Sequence, residues 1–251
     1  MGVKKGIERF HATMALLWEA REPARRGPKP SLSLDDIVRM ALAVADEEGI
    51  DALSMQRVAS RLGFTTMSLY RYVRAKNDLV DLMIEESFGP CPAPDTRTTW
   101  RVQLERWALD MGHRFLSHPW TIPATNGLRV LGPNELGWIN TGVKILVDAG
   151  FTGAEAFDGL LVVVGHVRTV AQFALPARPG ERVLSGPDWV RWMRAILARH
   201  GDRFRELRDV VVNDMNEEEE GLEELFLFGI RCILDGLALR IASRELPTNS
   251  A

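Results

Sequence analysis

The chain has 251 residues, 46% of them apolar, enough to bury one large core or two smaller ones. No uninterrupted apolar run approaches the roughly 20 residues of a membrane span, and the basic start Met1–Gly6 is broken by Glu8, Arg9 and His11 before a signal-peptide core forms. The formal net charge of −3 excludes a uniformly basic nucleic-acid binder, and the two distant cysteines, Cys91 and Cys232, read as free thiols of a reducing cytoplasm rather than as a disulfide or a zinc site.

Apolar side chains at Ile7, Phe10, Met14, Leu17 and Trp18 repeat at helical spacing, which predicts a helix over Ile7–Glu22. Pro23, Gly27, Pro28 and Pro30 stop it, and Arg25, Arg26 and Lys29 make the stretch between them a basic, extended arm. Ser33 with Asp36 three residues on predicts the N-cap of the next helix. Its buried stripe is Ile37, Met40, Ala41 and Val44, and Gly49 is its stop.

From Ser54 to Asn77 there are five basic residues (Arg57, Arg61, Arg71, Arg74 and Lys76) and no acidic one, while acid collects elsewhere, notably at Glu217–Glu220. Local sign governs phosphate attraction more than the total does. Within this stretch Ser54 is placed to cap a short helix with Met55, Val58, Ala59 and Leu62 facing inward. Gly63 ends it, since a tight interhelical turn needs a left-handed residue. Phe64 anchors the turn, Thr65 or Thr66 caps a second helix over Met67–Val73, and Leu69 and Val73 face inward. Ala59, Gly63 and Leu69 stand at helix-turn-helix spacing: a small residue where the helices cross, a glycine in the turn, an apolar pin on the second helix. The outer face then carries Thr65, Thr66, Met67, Ser68, Tyr70, Arg71 and Tyr72, with no carboxylate, a surface suited to a major groove.

Gly89-Pro90-Cys91-Pro92-Ala93-Pro94 is a linker that no helix crosses. Beyond it the periodicity predicts helices at about 98–117, 134–149, 152–175, 188–199 and 218–243, with a capping box at Thr152–Glu155 and a stop at Pro176. The expected fold is all-α: an N-terminal extension and arm over 1–30, a three-helix helix-turn-helix domain over 31–89, and a larger helical domain over 95–246.

Asp36–Glu86, above all Leu62-Gly-Phe-Thr-Thr-Met-Ser-Leu-Tyr-Arg-Tyr-Val-Arg-Ala-Lys76, resembles the DNA-binding domain of the tetracycline-repressor (TetR) family. Trp100, Gly132-Pro133 and Gly150-Phe151 resemble that family's tetracycline-repressor type of C-terminal domain. The resemblance implies a homodimer on double-stranded operator DNA whose two reading heads move when a small-molecule effector binds, with repression as the family default. Carried over by position, Thr65, Thr66, Met67 and Arg71 would face bases, Ser54, Tyr70, Tyr72 and Lys76 would hold phosphates, and Gln56 would do either, with Ser68 on the same face. Arg25, Arg26 and Lys29 lie outside the shared domain, and composition alone makes them a minor-groove arm or a tail.

Residues 152–175 and 222–241 are apolar on nearly all sides and must be buried, in a core or against a second subunit. Two such helices per chain match the four-helix dimer interface the resemblance implies, with Leu161, Leu234 and Leu237 expected in it. His166 and Arg168 interrupt the first of them, and Trp107, Met111, Phe115, Trp120 and Trp138 lie on neighbouring helices. An apolar cavity with a few polar groups is the form of a small-molecule site, and plain core is the other reading. The histidine and glutamate that hold a magnesium–drug chelate in tetracycline repressors have no clear counterpart, so a metal-free, largely apolar or amphipathic effector is expected, with no cofactor. Two other readings stand beside this one: a DNA-binding dimer without a ligand, and a helical enzyme. The second lacks a glycine-rich phosphate loop, a nucleophile elbow or a metal triad, and the five histidines are scattered.

Overall fold

A computed structural model describes residues 2–19, 32–127, 129–175, 185–215 and 222–245. Every regular element among them is a helix. Arg25, Arg26, Lys29, Pro176 and the acidic Glu217–Glu220 lie outside the described residues. The chain divides into two compact units, Met1–Val164 and Gly165–Ala251, rather than at the linker after residue 89.

The first unit starts with α1 (Gly2–Trp18) and α2 (Leu34–Glu48). Ser33 and Asp36 form the expected reciprocal cap on α2, which buries Ile37, Val38, Ala41, Val44 and Ala45 and ends at Gly49. A 3₁₀ turn over Ile50–Ala52, not foreseen from the pattern, leads into α3 (Met55–Leu62). Then come α4 (Thr66–Tyr70) and α5 (Lys76–Phe88). Helix α5 buries Asp78, Leu79, Asp81, Leu82, Met83, Ile84, Glu85, Ser87 and Phe88, which is why no unit boundary follows it. It packs on α2, on α1 and on later helices of the same unit. On the α1 side the buried Thr13 hydroxyl donates to Asp78 at 3.0 Å, and Leu17 is buried one turn on. The Trp18 indole N–H donates to the Leu131 carbonyl at 2.9 Å.

Beyond the linker, α6 (Trp100–Ser117) is capped by Thr99, whose hydroxyl oxygen accepts from the Val102 amide. A single-turn α7 (Thr121–Ala124) follows, too short to leave a periodic signal. Helix α8 (Pro133–Asp148) opens with proline at a position where the missing N–H costs nothing. Its other free amides are met from α5: the Glu85 carboxylate accepts from Asn134 N at 2.6 Å and Glu135 N at 3.4 Å. A Cβ on Gly132 would lie 2.2 Å from that carboxylate, so glycine is what lets Glu85 approach. Arg129 pairs with the buried Glu135 beside it. Burial pushes the Glu85 carboxyl above the ordinary glutamate value, against the pull of the two amides.

Helix α9 (Gly153–Phe173) runs from the first unit into the second. It buries Ala156, Leu160, Val163, Val167 and Val170 and exposes Phe157, Leu161, Val162 and Phe173. By length and hydropathy alone it passes as a membrane span, with a mean hydropathy of 1.2, although charged and polar residues interrupt its apolar run. The second unit continues with α10 (Gly186–His200), α11 (Arg205–Asp209), a π-turn over Val210–Asp214 and α12 (Leu222–Glu245). Within it Arg194 of α10 donates to the carbonyls of Val211 and Met215, satisfying the π-turn's end. Helix α12 buries Phe226, Ile230, Leu234 and Leu237, spaced at i, i+4, i+8 and i+11, and exposes Leu225, Phe228 and Leu239. Leu234 is only 1% exposed and Leu237 is buried too, so these two, expected at a subunit interface, already belong to the inner face of one chain. Leu161, at 55% exposure, does face outward.

Candidate functional site

The α3–α4 pair is built by local chemistry that the sequence spells out. Ser54 caps α3 by accepting from the Arg57 amide at 3.1 Å. Gly63 sits at φ 75°, ψ 25°, a left-handed conformation that an L side chain adopts only at a cost. It turns the chain so that Thr65 caps α4 by accepting from the Ser68 amide, while its hydroxyl also meets the Ser68 hydroxyl at 2.9 Å. Ala59 is buried at the crossing, and Leu69 and Val73 are fully buried beneath α4.

What remains outside is Ser54, Gln56, Thr65, Met67, Tyr70 and Arg71, all exposed, with Thr66, Ser68 and Lys76 half-buried among them. Met67 is 73% exposed, an unusual position for a thioether that has nothing to pack on in the free protein. Two expectations change. Helix α4 stops at Tyr70 rather than Val73, and Tyr72 turns inward: it is half-buried, and its hydroxyl donates to the Leu32 carbonyl at 2.8 Å. In the free chain that proton is committed, so Tyr72 anchors α4 to the chain entering α2.

The basic surface is also narrower than the count of five. Arg57 makes a bidentate pair with Glu48, and Arg61 pairs with Glu47 at 2.6 Å. The Arg61 bond holds the Glu47 carboxyl below the usual carboxylate range and raises the guanidinium correspondingly. These pairs lock α3 to α2. Arg71, Arg74 and Lys76 make no ion pair among the described residues.

The residues expected to meet an effector fall in both units. In the first, Trp107, Met111 and Phe115 line one face of α6 at i, i+4 and i+8, and all three are buried. Trp107 lies edge-on to Trp138 of α8, centroids 6.0 Å apart, and Phe115 edge-on to Phe88 of α5 at 5.5 Å. Both indole N–H groups are spent on backbone: Trp107 on the Trp138 carbonyl and Trp138 on the Gly89 carbonyl, each at 3.1 Å. Cys91 is half-buried, and that burial raises its thiol above the ordinary value. In the second unit, His166 Nε2 bonds the Phe226 carbonyl at 3.0 Å, and its ring fills the space that a Cβ on Gly229 would need. His166 thus fastens α9 to α12, a role no spacing rule in the sequence announces. Arg168, two residues on and so about 200° round α9 from His166, is half-buried.

A glycine-turned helix pair with a carboxylate-free outer face and, among the described residues, cations without an ion pair beside it defines a DNA-binding transcriptional regulator. A family model for the bacterial regulatory proteins of the tetR family matches residues 37–83, and one for the tetracyclin repressor-like C-terminal domain matches 93–241. The chain belongs to the TetR family of transcriptional regulators and is not an enzyme. It is 34% identical over 236 residues to the HTH-type transcriptional repressor DrrR1 of Streptomyces coeruleorubidus, covering 93% of this chain and 87% of that one. It is 26% identical over 216 residues to the class A tetracycline repressor from transposon 1721 of Escherichia coli, covering 83% and 92%. Among solved structures, apo ActR from Streptomyces coelicolor superposes with a TM-score of 0.69 at 23% identity over 86% of this chain and 99% of that one. ActR has also been solved with actinorhodin, TM-score 0.69, 24% identity, covering 84% and 98%.

Proposed function

We propose that this regulator is a cytoplasmic homodimeric repressor that holds a palindromic operator through α3 and α4 and lets go when an apolar or amphipathic small molecule binds its helical domain. The observation that carries the DNA half is the Gly63 turn, which leaves Thr65, Thr66, Met67, Ser68, Tyr70 and Arg71 facing outward without a carboxylate among them. Thr65, Thr66, Met67 and Arg71 read base edges; Ser54, Tyr70 and Lys76 position the backbone; Gln56 serves either. Arg25, Arg26 and Lys29 extend this contact into the minor groove. Dimerisation uses the outward apolar faces of α9 and α12, where Phe157, Leu161 and Val162 on one helix and Leu225, Phe228 and Leu239 on the other stand exposed.

The effector half is supported by the aromatic set Trp107, Met111, Phe115 and Trp138 of the first unit, and by the ActR–actinorhodin complex of the same fold. These rings are buried against one another with their N–H tips bonded to backbone, so a ligand that parts them would meet apolar surface and need no metal.

Fluorescence anisotropy on a palindromic duplex from beside the protein's own coding region tests the reading. Affinity should fall steeply between about 50 and 300 mM salt as displaced counterions compete. Binding indifferent to salt, or to the presence of the palindrome, would sink the assignment of α3–α4 as the reading head.

A further inference from the structure

Three consecutive acids close α2, where carboxylates oppose the helix dipole, and they are held in two directions. Glu47 and Glu48 reach forward to Arg61 and Arg57 of α3. Asp46 reaches in another direction, to the corner between α6 and α7. Its Oδ1 accepts from the indole Nε1–H of the buried Trp120 at 2.7 Å, and His118 Nδ1 lies 2.9 and 3.1 Å from its two oxygens. Both donors come from a three-residue stretch whose own backbone is pinned, since the His118 carbonyl accepts from the Thr121 amide at 2.9 Å and the Thr121 hydroxyl at 2.6 Å. An indole N–H that is buried must find an acceptor, so the Trp120 bond is costly to break. All of these residues lie in the first unit.

We propose that Asp46 is a positioning residue for operator recognition: the joint through which the α6–α7 corner sets the pitch of the reading head. The chain of fastenings is short and physical. The corner holds Asp46, the same turn of α2 holds α3 through Glu47 and Glu48, and α3 packs on α4. A head tied in this way presents α4 at one angle, and two such heads fix one distance between half-sites. A head cut loose from the corner still carries every DNA-facing side chain but no longer selects that distance. The inference rests on α3–α4 being the DNA-reading surface.

The test uses full-length protein and duplexes in which a palindrome selected by the wild-type protein is lengthened or shortened by one base pair at its centre. Each base pair turns one half-site by about 35° and moves it about 3.4 Å, so a rigid pair of heads rejects the altered spacings. Wild type should prefer the selected spacing by tenfold or more. Asp46→Ala should reduce that preference to threefold or less, with a lowered melting point because the buried indole loses its acceptor, while the protein stays folded and binding to an isolated half-site stays near wild type. Trp120→Phe, which keeps an aromatic ring and removes the N–H, should do the same. The Asp46→Ala/Trp120→Phe double variant should add little to Asp46→Ala alone, because the alanine already removes the acceptor of the Trp120 bond as well as the His118 contact. Asp46→Asn, which keeps an acceptor for the indole, should recover part of the preference. Spacing preference left intact in Asp46→Ala and Trp120→Phe overturns the joint. Failure of the wild-type protein to bind any of the duplexes overturns the DNA reading itself, and the proposal with it.

Discussion

The outer face of α3–α4 and the outer faces of α9 and α12 are both exposed in the single chain, but they are made of different material. On α4 nearly every outward group is a hydroxyl, a phenol or a guanidinium, and water satisfies it until a partner arrives. On α9 and α12 the outward groups are Phe157, Leu161, Phe228 and Leu239, the last two at 70% and 71% exposure, which water cannot satisfy at all. The first kind of surface suits a partner that comes and goes in a salty solution. Exposed apolar area costs about 25 cal/mol per Å² left in water, so the second kind gains from the lasting cover that the proposed dimer supplies.

The largest effects should come from confusing the two faces of α12. Leu234→Asp places a charge on the inner face, where the leucine is buried within one chain, and the cost of an unpaired buried charge is about 3–5 kcal/mol. That is comparable with the whole stability of a domain, so circular dichroism should show loss of helix or a melting point lowered far below wild type. Leu161→Glu and Leu239→Glu put the same charge on the outer faces. These variants should keep their helix content yet sediment at half the wild-type mass. Their affinity for the palindrome should drop by about 100-fold or more, since two linked heads bind far better than one. A Leu161→Glu protein that sediments at wild-type mass would show that the outer face of α9 is not what joins the subunits.

The same pair of regions shows what a sequence reveals. In the head, structure is written in short-range chemistry: Ser33 and Asp36 cap α2, Ser54 caps α3, Gly63 makes the turn, and Thr65 caps α4, all readable within a few residues. In α9 and α12 apolar residues occur on all sides, so periodicity cannot tell which stripe turns inward. Leu234 and Leu237 were expected outside for that reason. The contacts that escape the sequence are long-range ones: Tyr72 with Leu32, Arg57 with Glu48, Asp46 with Trp120, and His166 with the Phe226 carbonyl. Each pairs groups whose types permit many partners, and only the fold selects one. Composition counts five cations from Ser54 to Asn77, and among the described residues pairing leaves three of them without a carboxylate.

That last difference sets the next prediction. Lys76→Ala and Tyr70→Ala should weaken binding to every duplex by about 1 kcal/mol, and Lys76→Ala should lower the salt slope by about one unit. Arg57→Ala should leave the slope nearly unchanged, because its charge is already answered by Glu48. Arg71→Ala and Thr66→Ala should instead change which base is preferred, at about 1–3 kcal/mol for the arginine. An Arg57→Ala slope that falls as far as that of Lys76→Ala would mean that the pair opens on DNA and all five cations act together.

The smallest effect concerns Glu85, which links α5 of the head to the first turn of α8. Burial raises its folded-state pKa above the ordinary value of 4.5, so the folded protein holds this proton more tightly than the unfolded chain. The sign follows from that. The contribution of the protonated form to stability is complete below the unfolded pKa and is lost as pH rises through the folded one. Glu85→Gln keeps an acceptor oxygen for the Asn134 amide and carries no charge to desolvate. Stability of wild type relative to Glu85→Gln should therefore decline as pH is raised from about 4 towards neutrality, and level off once Glu85 is ionised. Denaturant melts of both proteins across that range measure the difference directly, and the other carboxylates cancel between them. A wild-type advantage that grows with pH would mean that the two α8 amides, rather than burial, govern this carboxylate. Glu85 would then be held as an anion by the helix terminus, and the α5–α8 link would be strongest at neutral pH.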